Sequence, residues 1–231
     1  IFESDFNALS KTEFGKSVAA SAALMESLTR SYGKPIWGLD FTEVNGHEVA
    51  VEPKSVWSDA WCSLVHFKRN RTQLAAALGN ETPQPRLLIV APLSGHYATL
   101  LRGTVEAFLP HFEVYITDWT DARMVPLTQG RFDLDDYIDY IRRMISEVGP
   151  GANVLAVCQP GPPVLAAISL MSEDRDPNVP SSMTFMGSPI DCRKSPTVPN
   201  QLAETREFEW FKDNMIYTVP FPYPGAMRRV Y

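Results

Sequence analysis

Apolar residues in the middle of the chain form two patterns: short continuous runs and stripes with helical spacing. Leu87–Ala91 is a run of five apolar residues, which is typical of a strand buried on both faces. Beyond Asp133, apolar residues recur at the spacing of an amphipathic helix, at Leu134, Tyr137, Ile138, Ile141, Met144, Ile145 and Val148. Asp133 stands at the N-cap position and Gly149 follows the last apolar residue. We therefore predict a buried strand and a surface helix here.

Elements of these two kinds alternate from residue 86 onwards. Strands are predicted at Leu87–Ala91, Phe112–Trp119, Val154–Cys158 and Ser182–Met186, and helices at Thr99–Leu109, 134–148 and Val164–Met171. A strand–helix alternation of this kind is typical of a parallel sheet wound by right-handed crossovers. The predicted fold class is α/β, with a mostly parallel wound sheet.

The N-terminal part of the chain has a different pattern. Residues 10–31 are predicted to form a helix rich in small residues. His47–Trp57 and Trp61–Lys68 are predicted to be extended and to pair as antiparallel strands.

The C-terminal part loses its periodicity after Gly187 and becomes rich in proline and aromatic residues. One helix is expected around Leu202–Asp213, and loop is expected elsewhere. The predicted organisation is an N-terminal helical segment at 1–45, a core at 46–190, and the start of a cap or lid region at 191–231.

Charge and hydropathy exclude two function classes. The 231 residues hold 21 Lys+Arg against 27 Asp+Glu, a formal net charge of −6, which disfavours nucleic acid as a partner because phosphate binding needs clustered basic residues. The longest apolar runs are five residues, whereas a membrane span needs roughly 20.

The first residues are polar and of mixed charge, so no secretory signal is expected, and Ile1 is not expected to be the natural start.

Cysteine and histidine usage gives no metal or disulfide pattern. The three cysteines, Cys62, Cys158 and Cys192, are widely spaced, and the four histidines show no metal-ligand spacing. We expect a reduced, cytoplasmic protein with no metal and no resident cofactor.

The corner between a predicted strand and the following helix, at Cys158, is the candidate site. A nucleophilic residue there is the context of a nucleophile elbow. The usual small neighbours are replaced by Ala156 and Pro160, with Gly161 one place later, so the motif is a variant. The helix N-terminus would stabilise a thiolate. The alternative, a buried small hydrophobic cysteine, stays open for Cys158 and is preferred for the other two cysteines.

Backbone amides near Cys158 are the candidate oxyanion hole. The first donor is the N–H of Gln159, directly after the nucleophile, and the second is expected from Leu93 or Ser94, in the loop after the first buried strand.

The remaining partners of a catalytic triad are harder to place. Hydrolases of this kind order nucleophile, acid and then His along the chain, whereas all four histidines precede Cys158. His96, in the loop near the oxyanion hole, is a candidate auxiliary residue, although a structural or substrate-contact role is favoured. Asp191, after the fourth strand, is a candidate acid, although a turn-capping role is favoured.

Several segments resemble intracellular polyhydroxyalkanoate depolymerases, and their order along the chain is the same. They are Tyr32–Pro35, Ala91–Arg102, Asp118–Arg123, Phe132–Tyr137, Val157–Gly161 and Gly187–Asp191. The resemblance implies an α/β-hydrolase fold and a cysteine nucleophile, which by position falls on Cys158. It also implies hydrolysis of stored polyester, chiefly poly(3-hydroxybutyrate), on granules in the cytoplasm. Members of that family are longer, so their acid and His are expected from a C-terminal remainder of the same enzyme beyond Tyr231.

Two further functions stay open at this point. A polyhydroxyalkanoate synthase-like acyltransferase shares the fold and the cysteine, but synthases usually have glycines just after it, whereas Gln159 and Pro160 follow Cys158 here. A non-catalytic granule-binding protein is the other. A Cys158 thioester would be released by water or passed to coenzyme A as acyl acceptor. The sequence also leaves a homo-oligomer open.

Overall fold

The computed structural model describes residues 12–29, 33–93 and 97–230, in two compact units divided between Pro35 and Ile36. The first unit contains helix α1, Glu13–Thr29. Its first turn is closed by Thr12, whose Oγ1 accepts a hydrogen bond from the Gly15 N–H at 3.0 Å. The helix predicted at 10–31 is thus confirmed over the described residues. Within the described ranges, no helix has the length and apolar character that crossing a bilayer requires.

The second unit is organised around one sheet, which has seven strands in the described part of the chain. The strands are β1 (Phe41–Val44), β2 (His47–Ser58), β3 (Cys62–Arg69), β4 (Arg86–Val90), β5 (Glu113–Trp119), β6 (Asn153–Val157) and β7 (Ser182–Met186). Their spatial order is β1-β2-β3-β5-β4-β6-β7. Strands β5, β4, β6 and β7 are parallel, and β1, β2 and β3 extend the sheet in antiparallel pairs.

Six helices accompany this sheet in the described residues of the second unit. They are α2 (Arg71–Leu78), α3 (Arg102–Phe108), α4 (Leu134–Val148), α5 (Gly161–Glu173), α6 (Val198–Thr205) and α7 (Phe208–Asn214). A 3-10 turn at Ala98–Leu101 leads into α3, and two short strands, β8 (Tyr217–Thr218) and β9 (Arg229–Val230), pair near the C-terminus. Consecutive parallel strands are joined through α3, α4 and α5, which confirms the predicted α/β fold class. The strand order, with a sharp turn after β6, is that of an α/β hydrolase.

Side chains of β4 show why that strand is continuously apolar. Leu88 and Val90 belong to a core cluster that α4 and α5 complete. Leu87 and Ile89 belong to a second cluster, which α3 completes with Val105. Because successive side chains of a strand point to opposite faces, a strand covered on both faces must be apolar at every position.

Helix α4 begins at the residue that the sequence predicts. Asp133 Oδ1 accepts from the N–H groups of Asp135 and Asp136 at 3.1 and 3.3 Å, and the Asp136 carboxylate accepts from the Asp133 N–H at 2.9 Å. This reciprocal capping box satisfies backbone donors that have no partner inside the helix. Five of the predicted apolar positions are buried, whereas Leu134 is exposed at the start of the helix.

Strand β1 lies inside the segment that the sequence analysis assigned to an N-terminal helical region, 1–45. It pairs with β2 through a two-residue turn at Asn45 and Gly46, which have φ of 51° and 79°. An Asn-Gly pair is a strong hairpin signal, because both residues tolerate a positive φ. The sheet therefore begins earlier than the sequence analysis placed it.

The helix predicted around Leu202–Asp213 was wrong in one respect, since it is two helices. Arg206 is extended, with φ −125° and ψ 138°, and Glu207 is the N-cap of α7. Helix α6 begins at a capping box, in which the Thr197 N–H donates to Asn200 Oδ1 at 2.9 Å. The expected loop after α7 also contains the β8–β9 pair, which is too short to give a periodic pattern.

Arg228 anchors the C-terminal segment to the loop that follows β5. Its guanidinium donates to the carbonyl oxygens of Gly130, Pro126 and Val125 at 2.7, 2.9 and 3.2 Å. The same group lies 4.6 Å from the centre of the Trp61 ring. Residues 219–230 are thereby fixed above the carboxyl edge of the sheet.

Strand β7 is at one end of the sheet and has no neighbour on its outer side among the described residues. It is also poorly covered on its faces. Met183 is 41% exposed and Met186 45% exposed, unlike the side chains of β4 and β6. This end of the sheet is therefore open in the described chain.

Candidate active site

The backbone at Cys158 has the sharp turn that the sequence predicts. Strand β6 ends at Val157 and α5 begins at Gly161, so only three residues separate them. Cys158 has φ +65°, a conformation that costs energy for any residue with a Cβ and that is found at functional sites. Its side chain is exposed, so the alternative of a buried hydrophobic cysteine is wrong for this residue.

Strand β7 holds this turn in place. The Cys158 N–H donates to the Met186 carbonyl at 2.8 Å, which continues the β6–β7 pairing by one more hydrogen bond beyond Val157 and Met186. A strained backbone persists only where its surroundings fix it, and this hydrogen bond is part of that support.

Gly161 supplies the small residue that the variant motif displaces by one position. A Cβ added at Gly161 would lie 2.4 Å from Ser188 Cβ and 3.1 Å from Ile190 Cδ1. Ser188 also donates through its hydroxyl to the Ala156 carbonyl at 3.3 Å. The loop after β7 therefore packs directly on the start of α5, beside Cys158, and only glycine fits at this contact.

The loop after β4 contacts the residue that directly follows Cys158. The N–H of Gln159 has no hydrogen-bond acceptor within the described residues. The N–H of Leu93, from the loop after β4, donates to Gln159 Oε1 at 3.0 Å. The structure thus brings Leu93 next to Gln159, while their role as oxyanion donors stays a prediction. The Gly161 N–H is bonded to the Cys158 carbonyl at 3.3 Å, and Ser94 lies outside the described residues.

Proline occupies the start of helix α5, where it removes competing donors. Pro160 is the N-cap residue, and Pro162 and Pro163 follow in the first turn. Proline is tolerated there because the first N–H groups of a helix have no internal partner. The helix start therefore offers few amides, and the one directly after Cys158 remains.

Asp191 is partly exposed and paired with a neighbour in its own loop. Its carboxylate accepts from Arg193 Nε at 2.8 Å and from a second guanidinium nitrogen at 3.0 Å. This hydrogen bonding lowers the pKa of Asp191 below its usual value. A role for Asp191 as catalytic acid stays a prediction.

The described histidines lie away from the carboxyl edge of the parallel strands. His66 is opposite Tyr115, in the first half of β5, and its Nε2 is 3.1 Å from Glu113 Oε1. His47 begins β2 at the far end of the sheet, and His111 lies in the turn before β5. His96 lies outside the described residues. No described imidazole is therefore placed as a base for Cys158.

Other features of the described chain do not add a metal or a second nucleophile. In the described ranges, no group of three or more His, Cys, Asp or Glu residues is arranged to hold a metal ion. Cys62 is buried, as expected, whereas Cys192 is exposed in a loop, so the expectation of a buried hydrophobic cysteine was wrong for Cys192. A cleft of about 580 Å³ is lined by His66, Arg69 and Glu113 among others, at the amino edge of the sheet, opposite to Cys158.

Comparisons with known proteins give one family and one structural likeness. Residues 187–231 match the family described as PHB de-polymerase C-terminus, so this segment of the chain is similar to the C-terminal part of such enzymes. A comparison with curated protein sequences finds no match.

Among solved structures, the chain is similar to brefeldin A esterase, a bacterial homologue of human hormone sensitive lipase. The sequence identity is 14% and the TM-score 0.41, and the match covers 82% of this chain and 52% of that chain. This chain therefore spans about half the length of that esterase. The fold class follows from the strand order.

Proposed function

We propose that this chain carries the nucleophile of a polyester depolymerase, which hydrolyses ester bonds of poly(3-hydroxybutyrate) through an acyl-thioester on Cys158. The observation that carries the proposal is the strained, exposed Cys158 at the end of β6, next to the amides of Gln159 and Leu93. The match of residues 187–231 to the PHB de-polymerase C-terminus supports the choice of a polyester over other esters.

In this mechanism the Cys158 sulfur attacks the carbonyl carbon of an ester in the polymer. A C–S bond forms, and the electron pair of the C=O bond moves onto oxygen, where the Gln159 and Leu93 N–H groups stabilise the negative charge. The carbonyl re-forms as the C–O bond to the alcohol part of the chain breaks, and that oxygen takes up a proton. Water then attacks the thioester, releasing a carboxylic acid and the thiol.

The proposal requires a general base that the described residues do not supply. Because the histidine follows the nucleophile in hydrolases of this fold, and all four histidines here precede Cys158, we expect the imidazole and its acid from sequence that follows these 231 residues. Asp191 and His96 then have auxiliary roles at most.

Exposed aromatic side chains in the C-terminal segment fit an apolar polyester. Phe208, Tyr217 and Phe221 are 71%, 68% and 82% exposed. Aromatic rings supply large apolar contact areas, so these residues are proposed to contact the polymer or the granule surface in the cytoplasm.

The test is acylation of Cys158 by an activated ester of 3-hydroxybutyrate, followed by intact-mass and peptide mass spectrometry. We expect one 3-hydroxybutyryl group on Cys158, and none in Cys158→Ala. Cys192→Ala is the matched control, because Cys192 is also exposed but lies in a loop without the paired amides; it should be acylated like the unmodified protein. Equal labelling of Cys158 and Cys192, or none on Cys158, would contradict the proposal.

A second arm separates hydrolysis from acyl transfer. The full protein, which includes the sequence that supplies the imidazole, is incubated with amorphous poly(3-hydroxybutyrate) and, separately, with 3-hydroxybutyryl-coenzyme A. Release of hydroxy acid from the polymer supports a depolymerase, whereas chain growth from the coenzyme A thioester supports a synthase. Full polymer degradation by Cys158→Ala would contradict the catalytic role of Cys158, whereas polymer binding without any product from either substrate would leave only a granule-binding function.

A further inference from the structure

The Leu93 amide, which the proposed mechanism needs as an oxyanion donor, already has an acceptor in this structure. Its N–H donates to Gln159 Oε1 at 3.0 Å, across 66 residues of sequence. That oxygen belongs to a carboxamide, a planar C=O group close in size and shape to an ester carbonyl. The oxygen therefore lies where the carbonyl oxygen of a substrate would have to bind.

The backbone and the side chain of Gln159 have opposite effects at the proposed oxyanion hole. Its backbone N–H, directly after Cys158, has no acceptor among the described residues, while its side chain covers the donor on the opposite loop. An N–H has a single proton, and sharing it between two acceptors weakens both hydrogen bonds. A substrate oxygen and the Gln159 carboxamide therefore compete for Leu93.

We propose that the Gln159 side chain is a resting occupant of the oxyanion hole, which the substrate carbonyl must displace before Cys158 is acylated. This inference rests on the proposed function and adds a gating residue to it. The side chain is exposed, so water solvates the carboxamide after it leaves. The free energy needed to displace the carboxamide is therefore small. It equals the net contribution of one neutral hydrogen bond, which corresponds to a factor of roughly 2–10 in affinity.

An alternative role for the same contact makes the opposite prediction. If the carboxamide served to hold the loop after β4 in place, its removal would disorder Leu93 and weaken the oxyanion hole. Removing the carboxamide should therefore strengthen ligand binding if the carboxamide occupies the hole, and weaken ligand binding if it supports the loop.

The test uses an alkyl trifluoromethyl ketone, whose carbonyl accepts the Cys158 sulfur reversibly and leaves its oxygen in the oxyanion hole. Adduct formation is measured by ¹⁹F NMR in the unmodified protein, Gln159→Leu and Gln159→Ala. Both variants keep the backbone N–H and remove the carboxamide. We expect both variants to bind the ketone about 2–10-fold more tightly than the unmodified protein. The control is Gln201→Leu, which changes an exposed glutamine of α6 and should leave ketone binding unchanged.

A second readout follows the hydrogen bond itself. With ¹⁵N-leucine labelling, the Leu93 amide proton should exchange with solvent faster in Gln159→Leu, and should be protected again when the ketone binds. Weaker or unchanged ketone binding in both variants would overturn the gating role alone. Absence of an adduct in the unmodified protein and in both variants would overturn the proposed function, and the gating role with it.

Discussion

Gly161 and Ser188 approach each other so closely that a methyl group at position 161 would lie 2.4 Å from Ser188 Cβ. This contact joins the start of α5 to the loop after β7, on either side of the turn that carries Cys158. The turn is therefore defined by three elements, β6, α5 and the loop after β7.

Gly161→Ala is expected to destabilise the protein by about 2 kcal/mol, because overpacking of a tight contact forces neighbouring atoms apart. Urea unfolding measures the loss, and labelling of Cys158 by the activated ester should fall with it. Ser188→Gly in the same chain removes the clashing Cβ and should restore most of both. A Gly161→Ala protein as stable as the unmodified one would show that this contact is loose.

The positive φ of Cys158 predicts an unusual order of stability among variants. Glycine adopts this conformation without the steric cost that a Cβ brings. Cys158→Gly should therefore be more stable than Cys158→Ala, by about 1 kcal/mol, in chemical unfolding. At Cys192, which is not among the residues with positive φ, the order should reverse, since glycine there only adds freedom to the unfolded chain.

Arg228→Ala should destabilise the protein by about 3 kcal/mol, because it removes a charged donor to three carbonyl groups and leaves them without a partner. Arg229→Ala is the matched control: that side chain is exposed and donates once, to the Lys212 carbonyl at 3.0 Å, so its loss should cost less than 1 kcal/mol. Urea unfolding gives the energies, and limited proteolysis should show cleavage within 217–230 only in Arg228→Ala.

Glu113 predicts a dependence of stability on acid pH. The close approach of His66 Nε2 to Glu113 Oε1, at 3.1 Å, together with the charges of His66, Arg69 and Arg86, lowers the pKa of Glu113 against the opposing effect of burial. A lowered native pKa stabilises the fold above the unfolded value, about 4.3, and this stabilisation disappears as the pH falls through the native value. Between about pH 5 and 3, the melting temperature should therefore fall less in Glu113→Gln than in the unmodified protein.

The exposed Glu81, which forms no ion pair among the described residues, provides the comparison for that experiment. Glu81→Gln should leave the fall of the melting temperature at acid pH close to that of the unmodified protein. Parallel curves for Glu113→Gln and the unmodified protein would contradict the stabilising role of the His66 contact.

Local patterns were sufficient for the central part of the fold. The apolar run of β4 and the spacing of α4 follow from burial on two faces and on one face respectively, so both could be predicted. The corner at Cys158 could also be predicted, because a strand, a cysteine and a helix follow each other directly in sequence. The Asn45-Gly46 turn is a local signal as well.

Contacts between distant segments could not be predicted in this way. Leu93 and Gln159 are 66 residues apart, and Arg228 and Pro126 are 102 apart. The residue types themselves are ordinary for a surface, and nothing next to them in sequence indicates a partner. The Leu93–Gln159 hydrogen bond and the anchored C-terminal segment therefore depend on tertiary packing, which the sequence pattern does not specify.

The outer side of β7, which no described strand covers, has a practical consequence for handling this protein. An exposed strand offers its peptide groups as a template to any other extended chain, and charged side chains along such a strand normally prevent this. In β7 the positions are filled by Ser, Met, Thr and Phe, without a charge. Concentrated preparations of these 231 residues should therefore form multimers through strand β7, and a lysine in place of Thr184 should keep them dispersed in light scattering.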